Sequence, residues 1–283
     1  SGALSSGGSF YYHSELTASG VSPPLGPERG GTRVVVLGGS FRDSYTLRCG
    51  FGSGAAPVLA RFVDENQLEC IAPFHLPGVV KVLLSMNGQQ YMDSGATYEY
   101  QSALSVSFVS PGSVLAEGGT PITVHGSGFS SASEALGLLT CRIGSAVRRA
   151  VWASSSALVC NTTRAMAGSA RVEVSNNARE YTSDGVRIKL VSVRVLDVQP
   201  WSGPLSGATV VSVRAFGAWP GGLRCRFGDG ASSAGWNAGG SSRLRCVTPP
   251  SSAGMAGWVS MQLSSFSGAL SSGGSFYYHS ELT

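Results

Sequence analysis

Apolar and polar residues alternate in short runs along most of the chain. Ile122 and Val124 leave the backbone on one side while Thr123 and His125 leave it on the other. Arg171-Val172-Glu173-Val174 and Arg187-Ile188-Lys189-Leu190 repeat the pattern. Period-two alternation predicts strands with one wet and one dry face, because successive side chains leave a pleated backbone on opposite sides. Glycine and proline bound these runs and set turns between them, so the strands are expected to pair antiparallel. No stretch carries a convincing helical period. Many short strands joined by turns predict an all-β fold of two-sheet sandwiches.

The pattern itself recurs. Val21-Ser22-Pro23-Pro24 leads into Gly30-Gly31-Thr32-Arg33-Val34-Val35-Val36, and Val109-Ser110-Pro111 into Gly118-Gly119-Thr120-Pro121-Ile122-Thr123-Val124. Val198-Gln199-Pro200 leads into Gly207-Ala208-Thr209-Val210-Val211-Ser212-Val213. The marker prolines stand 88 and 89 residues apart, which predicts three tandem domains over residues 18–102, 103–191 and 192–283. The stretch SGALSSGGSFYYHSELT occurs twice, as residues 1–17 and 267–283, at an offset of 266. Three domain lengths fill that offset, so the chain reads as one period plus an overlap, a window on a longer repeating array. A cloning scar or a permutation is the competing account. Phe276-Tyr277-Tyr278 is expected to close a hairpin whose first arm is Trp258–Leu263. Its copy, Phe10-Tyr11-Tyr12, is expected to be the last strand of a preceding third domain.

Six cysteines fall at 49 and 70, 141 and 160, and 225 and 246. None forms the close pairs of zinc or thioredoxin-type sites. Fifteen connectivities are open in principle; the repeat selects Cys49–Cys70, Cys141–Cys160 and Cys225–Cys246, one per domain. Structural disulfides imply an oxidising, extracellular setting, and each would contribute roughly 3 kcal/mol in the chain-entropy model. Asn161-Thr162-Thr163 is a glycosylation sequon, so a glycan on Asn161 is expected.

The run Gly-Gly-Thr, alternating aliphatics, then Gly38-Gly39-Ser40-Phe41 resembles the hallmark of IPT/TIG domains; the second domain repeats it through Gly126-Ser127-Gly128-Phe129. The surroundings of the cysteines are similar too: Cys49-Gly50-Phe51-Gly52, Cys141-Arg142-Ile143-Gly144 and Cys225-Arg226-Phe227-Gly228. The resemblance implies three tandem immunoglobulin-like sandwiches. Phe41 and Phe129 are expected to plug the sandwich end, and the paired glycines to supply positive-φ turns. The third domain departs with Ala215-Phe216-Gly217-Ala218-Trp219, which suggests bent or bulged early strands. The second has Asn161-Thr162-Thr163 where the others have a proline soon after the cysteine.

Composition narrows the functions. Charged residues are 13% and the net charge of +4 is scattered, so no nucleic-acid footprint is expected. No apolar run approaches the ~18 residues that span a bilayer, and no leader is visible; direct membrane insertion is not expected. His75 and His125 have no metal-ligand spacing, and Gly228-Asp229-Gly230 lacks the lysine and helix of a phosphate loop. No catalytic, metal or cofactor site is read. The third domain concentrates tryptophan, at 201, 219, 236 and 258. One or two are expected in the core and the rest as interface anchors, with Trp201, Trp219, Trp236, Phe10, Tyr11 and Tyr12 as the candidate interface residues.

These readings favour a non-catalytic extracellular structural protein, a fibre or surface appendage built of tandem domains. Its partners would be other copies of itself, joined covalently in tandem or by strand exchange. The ectodomain of an adhesion or signalling receptor with IPT/TIG repeats is the alternative.

Overall fold

The computed structural model describes residues 16–217, 223–229, 232–237, 243–264, 271 and 273–280. The chain divides into two compact units, residues 1–103 and 104–283. The first unit holds one β-sandwich and the second holds two.

In the second domain the two sheets separate cleanly. One runs Ser105–Ser110, Pro121–Ser127, Ala157–Asn161, Val151–Ser154, and the other Ser113–Leu115, Arg187–Val191, Gly168–Ser175, Thr140–Ile143, Ala146–Arg149. The third domain has the same plan: Arg194–Gln199, Val210–Phe216, Arg243–Val247 and Trp236–Asn237 face Ser202–Pro204, Gly274–His279, Gly257–Ser264, Arg224–Phe227 and Ser232–Ala234. In the first domain Val58–Asp64 pairs with both Arg48–Phe51 and Gln67–Ile71, which turns the two sheets into one continuous ribbon. Each marker proline follows a cis peptide bond. There the chain crosses to the opposite sheet and lies parallel to the domain's last strand.

Alternation explains the cores. Along Pro121–Ser127 the buried residues are Ile122 and Val124, and along Gly168–Ser175 the buried apolar residues are Val172 and Val174. Each sandwich has its own apolar cluster with a disulfide inside it. The bonds are Cys49–Cys70, Cys141–Cys160 and Cys225–Cys246, with Cα atoms 6.4, 6.3 and 6.2 Å apart. Each joins a strand of one sheet to a strand of the other. Phe41 and Phe129 are buried in the first and second clusters.

The glycine pair before each second long strand does what its sequence suggests. Gly30, Gly118 and Gly207 all have positive φ, and a Cβ there would lie within 2.6 Å of backbone atoms of Pro73, Thr163–Arg164 and Pro249 respectively. The following position needs positive φ as well but has open space around it at Gly31 and Gly119. The third domain accordingly tolerates Ala208 there, at φ 60°.

Three expectations change. The register shift predicted for the third domain alone occurs in all three, between Ala18 and Gly20, His125 and Gly126, and Val195 and Asp197. It belongs to the fold and does not arise from the altered Gly-x-x-Phe; Phe216 simply points into solvent. A short helix, Ser131–Ala135, does form, capped by the Ser130 side chain accepting from the Ser133 N–H. Five residues are too few to show a helical period, and Glu134 steadies the turn by accepting from the Trp152 N–H at 3.0 Å. Leu16 and Thr17 belong to the first domain: Leu16 is buried in its core and Thr17 pairs with Gly39. The joint between the second and third domains is apolar as well. Leu115, from a strand of the second domain, is wholly buried in the third domain's cluster together with Val191 and Val193.

Candidate interaction surface

The hairpin closing the third domain places large aromatic side chains on both of its faces. Gly257–Ser264 and Gly274–His279 run antiparallel with Trp258 opposite Tyr277 and Val259 opposite Phe276. Because side chains alternate, Phe276 and Tyr278 point into the core while Tyr277 and Trp258 point out. Ser202–Pro204 lies on the other side of Gly274–His279, with Ser202 beside Tyr277, and the Tyr277 N–H donates to the Trp201 carbonyl at 2.9 Å.

Two exposed rings and one half-buried ring therefore meet at the surface. Trp201 and Trp258 stack with centroids 5.8 Å apart and planes 21° apart. Trp258 meets Tyr277 at 5.3 Å and 61°. Trp201 is 58% exposed and Trp258 64% exposed. Exposed stacked tryptophans cover each other only in part and leave broad apolar faces to water, the condition in which a partner gains most from covering them. Inside, Phe276 packs edge-on against Phe227 at 5.4 Å and against Tyr278 at 5.1 Å, and Tyr278 donates to the Pro249 carbonyl at 2.7 Å. Burial pushes the Tyr278 phenol above its ordinary value, a shift opposed by its hydrogen bond with Thr248. The rings thus stand on a well-packed sheet. Beside them the same face turns polar, with Ser260 opposite Ser275 and Arg226 opposite Gln262.

The structure regroups the residues expected at an interface. Trp201 is at the cluster, whereas Trp236 stands on the other sheet, opposite Arg245. Trp219, Phe10, Tyr11 and Tyr12 lie outside the described residues. The expectation that some of the third domain's tryptophans fill the core is not met by Trp201, Trp236 or Trp258, all of which are exposed. The inward positions of the Trp258 strand are taken by Val259, Met261 and Leu263, so the tryptophan falls on the outer register. Trp258 and Tyr277 were not expected as interface residues. The signal that could have found them was the hairpin expected between Trp258–Leu263 and Phe276-Tyr277-Tyr278.

Asn161 ends the strand Ala157–Asn161 with its side chain exposed, while Thr162 turns inward. The Thr162 hydroxyl accepts from the Thr120 N–H and donates to the Thr120 carbonyl, both at 3.0 Å. Thr248 in the third domain likewise accepts from the Thr209 N–H, at 3.1 Å. The first of the two sequon threonines is therefore accounted for by the fold. Of the histidines, His75 stacks on Tyr100 at 5.0 Å and His125 on Phe108 at 4.3 Å. Among the described residues no group of three His, Cys, Asp or Glu side chains is placed to hold a metal, and no helix is long and apolar enough to cross a membrane.

Human Plexin-A4 is 26% identical over 151 residues, covering 50% of this chain and 8% of that protein. Human Fibrocystin-L is 26% identical over 181 residues, covering 62% of this chain and 4% of that protein. The chain thus spans under a tenth of the length of these relatives. A solved structure of the Plexin A4 full extracellular region superposes with a TM-score of 0.47 at 18% identity, covering 83% of this chain and 21% of that one. The IPT/TIG domain model matches residues 16–100 and 104–189, two of the three sandwiches. The chain belongs to the IPT/TIG domain family.

Proposed function

We propose that this chain is a segment of an extracellular adhesion or receptor-type ectodomain: a non-catalytic tandem array that presents the Trp201–Trp258–Tyr277 cluster to a protein partner. The cluster carries the reading. Two exposed tryptophans and the half-buried Tyr277 on a sheet braced by a buried disulfide form a rigid contact surface, and aromatic residues of this kind dominate binding energy at interfaces. Similarity to Plexin-A4 and Fibrocystin-L supports the ectodomain over the fibre that the sequence put first, and one disulfide per domain supports an oxidising compartment.

The test is adhesion of protein-coated beads to cultured cells, comparing the intact chain with Trp201→Ser/Trp258→Ser. Loss of two anchors is expected to lower the bound fraction by about tenfold or more while the far-ultraviolet spectrum stays unchanged. Beads that adhere no better than albumin-coated ones, or variants that adhere equally, would remove the reading. The fibre keeps one specific observation in its favour, the stretch repeated at 1–17 and 267–283.

A further inference from the structure

The third domain's other sheet gathers charge that the sequence spreads out. Arg194, Arg214, Arg243 and Arg245 stand on the strands Arg194–Gln199, Val210–Phe216 and Arg243–Val247, and all four are exposed. Their strand neighbours Val195, Val213, Ala215, Leu244 and Cys246 fill the core, so alternation sends the arginines out on one side. Register sets them in a diagonal band. Arg194 lies opposite Phe216, Arg214 opposite Arg243, and Arg245, two residues further on, opposite Trp236. From Arg194 to Arg245 the band runs about 10 Å across the strands and about 14 Å along them. Phe216 and Trp236 flank it, and both are exposed.

The fold leaves this charge uncompensated. Arg214 faces Arg243 directly, an arrangement that weakens a sheet. Among the described residues no ion pair or side-chain hydrogen bond engages any of the four arginines. Asp197 lies opposite Arg214, but its carboxylate accepts from the Val198 N–H. Residues 192–283 hold six arginines and no lysine against Asp197, Asp229 and Glu281. Asp229 sits in the turn after Arg224–Phe227, a strand of the opposite sheet. The first domain shows the alternative at the same place. There the residue before the second cysteine is Glu69, which is ion-paired with both Arg33 and Arg61. In the third domain that position is Arg245. A neutralised patch has become an open positive one.

We propose that the Arg194–Arg214–Arg243–Arg245 band is a binding surface for a sulfated polysaccharide. An anionic partner would neutralise the like-charge pair that the sheet itself leaves standing. Guanidinium forks bind oxyanions in bidentate fashion, and arginine alone supplies the cations here. An open sheet crossed by a line of charge suits a linear polyanion, and the flat apolar faces of Phe216 and Trp236 suit sugar rings. The choice of a polysaccharide rests on the extracellular part of the proposed function. It does not rest on the Trp201–Trp258–Tyr277 cluster, which belongs to the opposite sheet.

The test measures binding of the intact chain to immobilised heparin in purified components at about 0.15 M salt. Binding is expected to weaken with rising salt, the logarithmic slope being about −3 for four contacts by the value for single-stranded polyanions. Arg243→Gln/Arg245→Gln should raise Kd at least about tenfold, since each lost contact is a hydrogen bond between charged groups. Arg148→Gln/Arg149→Gln removes the same charge from exposed positions of the second domain and should leave Kd within about twofold. Trp201→Ser/Trp258→Ser should bind heparin as the parent does, so the proposal and the adhesion reading can fail separately. Unsulfated hyaluronan and polyglutamate are the competitors, and neither should displace heparin. No binding to heparin, or equal losses in the two arginine double variants, overturns the proposal. Displacement by polyglutamate as effective as by free heparin overturns it too, and assigns the band to an acidic protein.

Discussion

Leu115 is the residue whose removal tests most sharply whether a strand of the second domain helps to hold the third together. It ends the strand Ser113–Leu115 opposite Val191, and it is completely buried. Its neighbour Val114 turns into the second domain's core, whereas Leu115 joins Val191 and Val193 in the third domain's cluster. Leu115→Ala removes three carbon groups, each worth about 0.8 kcal/mol in transfer from water. With a cavity left behind, substitutions of this kind cost about 3–5 kcal/mol. The joint can partly close around the gap, so a loss of about 3 kcal/mol is expected, and it should fall on the third domain. Urea unfolding followed by tryptophan fluorescence reads this directly, because Trp201, Trp236 and Trp258 report the third domain and Trp152 the second. Val114→Ala is the control and should move the transition of the second domain. A third-domain transition that stays within about 0.5 kcal/mol in Leu115→Ala, with the second-domain transition lowered instead, would refute the placement of Leu115 in the third domain's core.

Replacing Cys141 and Cys160 together by alanine should cost the second domain about 3 kcal/mol, since the bond closes a loop across 19 residues; equal urea midpoints for variant and parent would contradict that. Ala208→Gly should raise third-domain stability by about 0.5–1 kcal/mol, the relief of positive φ outweighing the added freedom of the unfolded chain, and calorimetry would show a lower midpoint if the strain were absent. At high pH, burial holds the Tyr100 and Tyr278 phenols above their ordinary value of 10.0, with Tyr98 adding to the shift at Tyr100. A raised phenol pKa favours the neutral form in the fold, so this contribution is intact below pH 10 and is lost as pH rises through the folded-state values. Unfolding free energy should therefore decline above about pH 10, and Tyr100→Phe/Tyr278→Phe should flatten the decline; an unchanged slope in the double variant would count against it.

Much of this molecule was legible in the letters. The spacing of Pro23, Pro111 and Pro200 marks three domains, alternation assigns Ile122, Val124, Val172 and Val174 to the interior, and the repeat pairs the six cysteines. These features are local or periodic, and a strand's two-residue period reports directly which side chains face inward. Other features are relations between distant segments. Alternation states that Leu115 faces inward from its strand but not into which domain's core, because that depends on how Val191 and Val193 carry the chain into the next sandwich. It states that Trp258 and Val259 face opposite ways, yet only the pairing of Gly257–Ser264 with Gly274–His279 turns the tryptophan outward and sets it against Tyr277 and Trp201. A shift of one residue in that register would exchange the faces. The sequence by itself determined how many sandwiches there are, where their disulfides lie and which residues are apolar on one side. The tertiary structure alone decided that Leu115 of the second domain is buried in the third domain's cluster and that three aromatic rings meet at the surface, because register and domain packing follow from contacts between segments far apart in the chain.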